Sequence, residues 1–439
     1  MLRRLSLALA ALALVPAPVS AKLSPAEARM IKTVDAEQAR TLAMLEKWVD
    51  QNSGSLNLEG VTRVGEMLRA ELEPLGFKVQ WIDMRPTGRA GHIIATHQGK
   101  GNGKKLLLIG HLDTVFEPDS PFQRWTRGGN EAEGPGSGDD KGGMAVMIAA
   151  LRAMKDAGTL KNANIQIVLT GDEEDSGSPI GVARRDLIAA GKRADVALDF
   201  EGLAQEAGPN GLVDMGSIAR RSSGSWTVTV TAKSGHSSGI FTPEAGSGAI
   251  YELARIIDTF RRELPEDKLT FNVGLIGGGS SARLDEGRIR IEAAGKTNII
   301  AASAVARGDL RALSQEQIDR AQARMRAIVA KPLGGAPARI VFDQDGYPPM
   351  APTAGNRALL QRLNVVNRDM GMAEMGELDP VKRGAGDISF VAADVDGLVG
   401  LGPASRGDHA PGESVDIASI WRQTKRAAIL MSRLAAEKR

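Results

Sequence analysis

The chain has 439 residues, an apolar fraction of 42%, 55 Lys and Arg against 53 Asp and Glu, and no cysteine. That length supports two hydrophobic cores, and a net charge of +2 gives no general pull toward nucleic acid or an acidic membrane surface. The missing thiols exclude disulfides, thiolate ligands and a cysteine nucleophile, so any metal must be held by nitrogen and oxygen.

Arg3 and Arg4 precede an apolar run from Leu5 to Val15, and Val19-Ser20-Ala21 offers the small residues of a cleavage site. Residues 1–21 therefore read as an export signal, too short to span a bilayer, with Lys22 opening the mature chain and a periplasmic or secreted location expected. Its removal leaves 53 basic against 53 acidic residues. His92 and His97 flank an early strand with no motif around them and read as structural or surface residues. The apolar run Leu106 to Ile109 predicts a strand that ends at His111-Leu112-Asp113. Gly134-Pro135-Gly136 and Gly138-Asp139-Asp140-Lys141-Gly142-Gly143 follow, then a helix over 141–157 with Met144, Met147, Ile148, Leu151 and Met154 as its buried face. Ile165 to Leu169 predicts a second strand, ending at Gly171-Asp172-Glu173-Glu174, and Asp195 to Glu201 a third.

The alternation in Trp226-Thr227-Val228-Thr229-Val230-Thr231 predicts a half-buried strand before the Ser/Gly loop that carries His236. Ser280 to Gly295 reads as a hairpin with its turn at Glu286-Gly287, and Gly334-Gly335-Ala336-Pro337 leads to a last strand of this region. The run Gly397 to Gly402 enters a loop carrying His409. The alternation of strands and helices gives an α/β catalytic part, residues 22–217 and 351–439, interrupted by a smaller α+β insert over 218–350.

Polar clusters at strand ends in an α/β sheet lie at its open, ligand-binding edge. An imidazole and several carboxylates there can hold one or two divalent cations, and the donor set suits zinc. Two ions ask for about eight ligand positions, and Glu201 and His409 complete the set. Taken singly, an acidic turn is usually a solvated loop and a His-x-Asp pair usually a core hydrogen bond; together they indicate a metallohydrolase. Adjacent side chains diverge, so one of Glu173 and Glu174 should face the metals and the other the water between them, and Glu173 is the residue expected to act as general base.

His111-Leu112-Asp113-Thr114-Val115, Gly134-Pro135-Gly136, Asp139-Asp140-Lys141-Gly142-Gly143, Asp172-Glu173-Glu174, Phe200-Glu201 and Gly235-His236 resemble, in order and spacing, one dinuclear zinc peptidase family. That family contains glutamate carboxypeptidase, aminoacylases, peptidase T-like enzymes and succinyl-diaminopimelate desuccinylase. The resemblance covers nearly the whole mature chain and is nearest to bacterial glutamate carboxypeptidase. It implies a zinc-exopeptidase-like catalytic domain, of mixed sheet and flanking helices, interrupted by a ferredoxin-like lid. It further implies that Asp139 bridges two Zn2+ ions, with His111 and Glu201 on one and Glu174 and His409 on the other, Asp113 orienting the His111 ring, and a cis bond between Asp139 and Asp140.

In the same family pattern His236 reaches across a homodimer, built through the lid, to stabilise the oxyanion in the partner's site. Lys296-Thr297-Asn298-Ile299-Ile300 and Arg307-Gly308-Asp309-Leu310-Arg311 match the segment whose Asn and Arg face the substrate carboxylate, leaving Asn298 with either Arg307 or Arg311. Gly384-Ala385-Gly386-Asp387 matches a Gly-Gly-Thr-Asp motif whose glycines admit substrate closely; Ala385 replaces a glycine, Gly386 the threonine, and Asp387 either orients the segment or caps the following helix. The hairpin at 280–295 departs from the glutamate carboxypeptidase pattern. The implied activity is hydrolysis of a small peptide or N-acyl amino acid to release a C-terminal residue, glutamate by nearest likeness. A dipeptidase, an N-acyl amino acid amidohydrolase and a non-catalytic binding protein are the alternatives.

Overall fold

The computed structural model describes residues 23–332, 334 and 336–439; the expected export signal, and Lys22, lie outside them. A six-stranded sheet runs in the order Lys78–Asp83, Gly91–His97, Asn164–Thr170, Lys105–His111, Val196–Asp199, Gly397–Leu398. The last four strands are mutually parallel and the first two antiparallel. Parallel strands are covered on both faces, which is why their sequence is a continuous apolar run rather than an alternation. Leu106 and Leu108 enter a core formed with helices Pro25–Ala36, Lys141–Asp156 and Ile417–Ala436, whereas Leu107 and Ile109 enter another with Leu187, Ile388 and Val391.

Helix Lys141–Asp156 is buried from Lys141 to Met154 on every side, not on one face as its apolar period predicts. It lies between the sheet and the outer helices, and small residues on its far side admit those neighbours. Its start is especially close: a Cβ at Gly143 would stand 1.9 Å from the Phe200 carbonyl oxygen and 2.0 Å from Asp140 Oδ1. Only glycine permits that approach.

Residues of the insert form an antiparallel four-stranded sheet in the order Thr270–Gly279, Ser303–Arg311, Gly224–Thr231, Ala338–Phe342. Helices Ala249–Glu263 and Gln315–Val329 pack on one face, against Trp226, Val228 and Val230. This is the βαββαβ order of a ferredoxin-like lid. The hairpin pairs Ser281–Leu284 with Ile291–Ala294. The two connections to the catalytic part run side by side, with Arg220 bridged to Met350 and Ser223 to Tyr347.

Beside those connections lies a buried ionic node. Arg184, with no exposed side-chain surface, donates to Asp172 Oδ1 (2.5 Å) and to Asp387 Oδ1 (2.7 Å), and its Nη2 donates to the Tyr347 hydroxyl at 2.7 Å. Breaking a buried pair strands the remaining charges, so Arg184→Ala should lower unfolding free energy by roughly 3–5 kcal/mol. Denaturant unfolding of the variant checks this; a midpoint unchanged from the wild type would contradict it.

Candidate metal centre

His111 is the last residue of its strand, and Thr170, beside it on the next strand, leads directly into the loop carrying Glu173 and Glu174. Asp139 stands two residues before helix Lys141–Asp156, and its bond to Asp140 is cis, as the family resemblance implies. His409 arrives on the loop after Leu401, with a positive φ of 65°. These four side chains meet. His111 Nε2 lies 3.0 Å from Asp139 Oδ1, and His409 Nε2 lies 3.2 Å from both Asp139 Oδ2 and Glu174 Oε2. Ligand atoms of His111, Asp139 and Glu174 fall within 4.8 Å of one another, a span that one divalent ion can fill.

Asp113 organises the cluster. Its carboxylate accepts from Ser55 Oγ (2.6 Å), from the Glu173 backbone N–H (3.0 Å) and from the Glu174 N–H (3.1 Å). His111 Nδ1 faces the same residue, 3.1 Å from its carbonyl oxygen and 3.4 Å from Oδ1, so the ring is oriented with Nε2 toward the cluster. His92 is structural, as expected, but not idle: its Nδ1 accepts the Gly171 N–H at 3.1 Å and its Nε2 bonds the Ala183 carbonyl at 2.9 Å, which anchors the start of the Glu173 loop. His97 bonds the Ala163 carbonyl.

The charges here are arranged for a cation. Burial alone would depress the His111 imidazolium, but Asp113 and Asp139 hold its pKa well above the ordinary value. Hydrogen bonds donated to the Asp139 and Glu174 carboxylates lift His409 from 6.5 to about 11. Burial would raise Asp139, yet His111 and His409 hold it below the usual carboxylate range. Glu173 moves the other way: burial pushes it well above its ordinary value, opposed by His111 and reinforced by Glu201, Asp387 and Glu174. The Glu174 carboxylate pairs with His409.

The other sequence-derived candidates have partners outside that cluster. Glu201, after strand Val196–Asp199, is paired with Arg220. Gly386 lies under that guanidinium. Asp387 does not cap its short helix; its carboxylate takes Arg184 and Thr170, which fixes the segment. His236 and Asn298 share an exposed edge of the lid, where the Ser237 N–H donates to the Asn298 carbonyl and His236 Nδ1 bonds Ser238. Arg307 is tied to Asp343 (2.6 Å) and Thr227, and Arg311 to Asp309 (3.0 Å).

Sequence reasoning missed Ser55, Arg220 and Glu413. The Glu413 carboxylate accepts from the backbone N–H groups of Gly136, Gly138 and Asp139 and so pins the loop that presents Asp139. Its only sequence signal is nearness to His409.

A model of Peptidase family M20/M25/M40 matches residues 107–433. Carboxypeptidase G2 of Pseudomonas sp. (strain RS-16) is 30% identical over 413 residues, covering 92% of this chain and 91% of that relative. Among solved structures, the aminopeptidase PepT of Bacillus cereus ATCC 10987 superposes with a TM-score of 0.71 at 18% identity, covering 91% of this chain and 99% of that one. A Bacillus subtilis protein described as a dinuclear metal binding peptidase superposes with a TM-score of 0.62 at 15% identity, covering 91% and 98%.

A metal requires neutral imidazoles, and the His409 ring is protonated at neutral pH, its pKa raised to about 11. Binding through His409 therefore displaces one proton, and the affinity of an ion held there should rise with pH by up to about tenfold per unit from pH 6 to 9. Titration calorimetry in buffers of different ionisation enthalpy measures this; pH-independent affinity without proton release would contradict it.

Proposed function

From the premise that this chain belongs to Peptidase family M20/M25/M40, we propose that it is a secreted, zinc-dependent exopeptidase that hydrolyses the amide bond before a C-terminal residue, glutamate first among them. The observation that carries the reading is the convergence of His111, Asp139, Glu174 and His409 at the sheet edge beside a carboxyl, Glu173, that burial keeps proton-hungry. Ions bound there would polarise an amide carbonyl and lower the pKa of an attacking water. Glu173 takes the water's proton and delivers it to the leaving amine. Asp113 holds Glu173, Glu174 and the His111 ring in register for that transfer.

His236 and Asn298, together on an exposed lid edge, are assigned to the partner's site in a homodimer, His236 as oxyanion stabiliser and Asn298 at the substrate carboxylate. Arg311 is the better candidate for that carboxylate, because Arg307 is bound to Asp343 across the lid sheet. The likeness to Carboxypeptidase G2 supports glutamate as the released residue. A second reading, dipeptidase or N-acyl amino acid amidohydrolase, is favoured by the hairpin beside the specificity segment, whose Arg288 reaches Asp343.

Incubation with dipeptides and N-acyl amino acids ending in Glu, Asp, Ala, Leu or Lys should give chelator-sensitive release, fastest for Glu; a different preferred residue would favour the second reading. Glu173→Gln should lower kcat about 10²- to 10⁴-fold with metal content retained, and unchanged turnover would overturn its role. The mature protein should have the mass of a dimer in solution, and a monomer at working concentration would overturn the trans role of His236.

A further inference from the structure

Glu201 stands out from the other expected ligands by its partner. The described ion pairs of Asp139 and Glu174 are with histidines, which become metal ligands on losing a proton. Glu201 is paired with the guanidinium of Arg220, which cannot be deprotonated. Asp199 Oδ2 lies 3.7 Å from the same Nη1.

Arg220 is held there from several sides. Its backbone N–H and carbonyl both bond Met350, each at 2.9 Å, and its Nε donates to the Gly384 carbonyl at 2.8 Å. The side chain is buried, with 5% exposure. Gly386 makes the room: a Cβ there would stand 2.1 Å from Arg220 Nη1, 2.4 Å from Cζ and 2.6 Å from Glu201 Oε1. With φ −175° the Gly386 backbone is extended, a conformation open to any residue, so the need for glycine is one of space. A fixed positive charge thus occupies the Glu201 end of the centre, and a second cation placed on Glu201 must share the carboxylate with Arg220 or drive it from a buried position. Either route weakens that ion through like-charge repulsion in a poorly screened setting.

We propose that Arg220 sets the occupancy of the second metal position: one divalent ion binds tightly between Asp139, Glu174 and His409, and the ion that needs His111 and Glu201 binds weakly. This inference rests on the metal-centre reading above. The test titrates metal-free, full-length mature protein with Zn2+ by calorimetry under chelator competition, and counts metal per chain after dialysis. The wild type should hold one ion tightly and a second at least about tenfold more weakly. Arg220→Ala should strengthen the second ion about tenfold or more, and raise retained metal from about one toward about two per chain. Arg220→Gln, which removes the charge and keeps an amide N–H donor, should shift the second ion the same way and serves if Arg220→Ala fails to fold; Arg220→Lys, which keeps the charge, should leave the second ion weak. Two equally tight ions in the wild type, or a second affinity unmoved in both Arg220→Ala and Arg220→Gln, would overturn the proposal while leaving the metal centre standing. No bound metal in any form would overturn the centre itself and the proposal with it.

Discussion

Everything at this sheet edge depends on keeping one buried carboxylate, Asp113, ionised and fully bonded. An ionised carboxylate removed from water is tolerated only with compensating donors, and Asp113 draws them from three separate segments. Ser55 comes from the loop before helix Leu58–Leu72, the two N–H groups from the Glu173-Glu174 loop, and the imidazole from its own strand end. Burial would raise its pKa, but His111, Ser55 and Glu173 hold it below the ordinary value. Its geometry therefore fixes the position of Glu173 and the orientation of the His111 ring together.

The surroundings repeat the device, one buried charge collecting several partners. Glu413 gathers the N–H groups that present Asp139. Arg184 gathers Asp172, Asp387 and Tyr347, and the Tyr347 hydroxyl donates to the Glu173 carbonyl at 2.9 Å. Because Tyr347 lies on the return connection from the lid, the catalytic loop is tied to the element about which the lid is attached. The cluster is thus built from outside inward, by groups bonded to the segments that present it.

What was legible in the sequence follows from this construction. His111, Glu173 and Glu174 stand in short motifs at the ends of apolar strands and Asp139 in one just ahead of a helix, so the strands and the gathering of these residues at one sheet edge could be read from period and position. The lid strand at Trp226 was legible for the same reason, since its alternation is local. Ser55, Glu413, Arg184 and Arg220 were not, because each acts on residues far along the chain and carries no local signature. The one-faced reading of helix Lys141–Asp156 missed its burial between two layers, a tertiary effect that no 3.6-residue period encodes. The partners of Arg307 and Arg311 were not legible either, since strand register puts Arg307 opposite Thr227 and beside Asp343 while Arg311 pairs with Asp309.

The most direct measurement is anomalous diffraction at the zinc edge from crystals of the mature protein. The account predicts a dominant peak about 2.0–2.2 Å from Asp139, Glu174 and His409 donor atoms. A dominant peak elsewhere in the chain, with these side chains bonded only to one another, would contradict it.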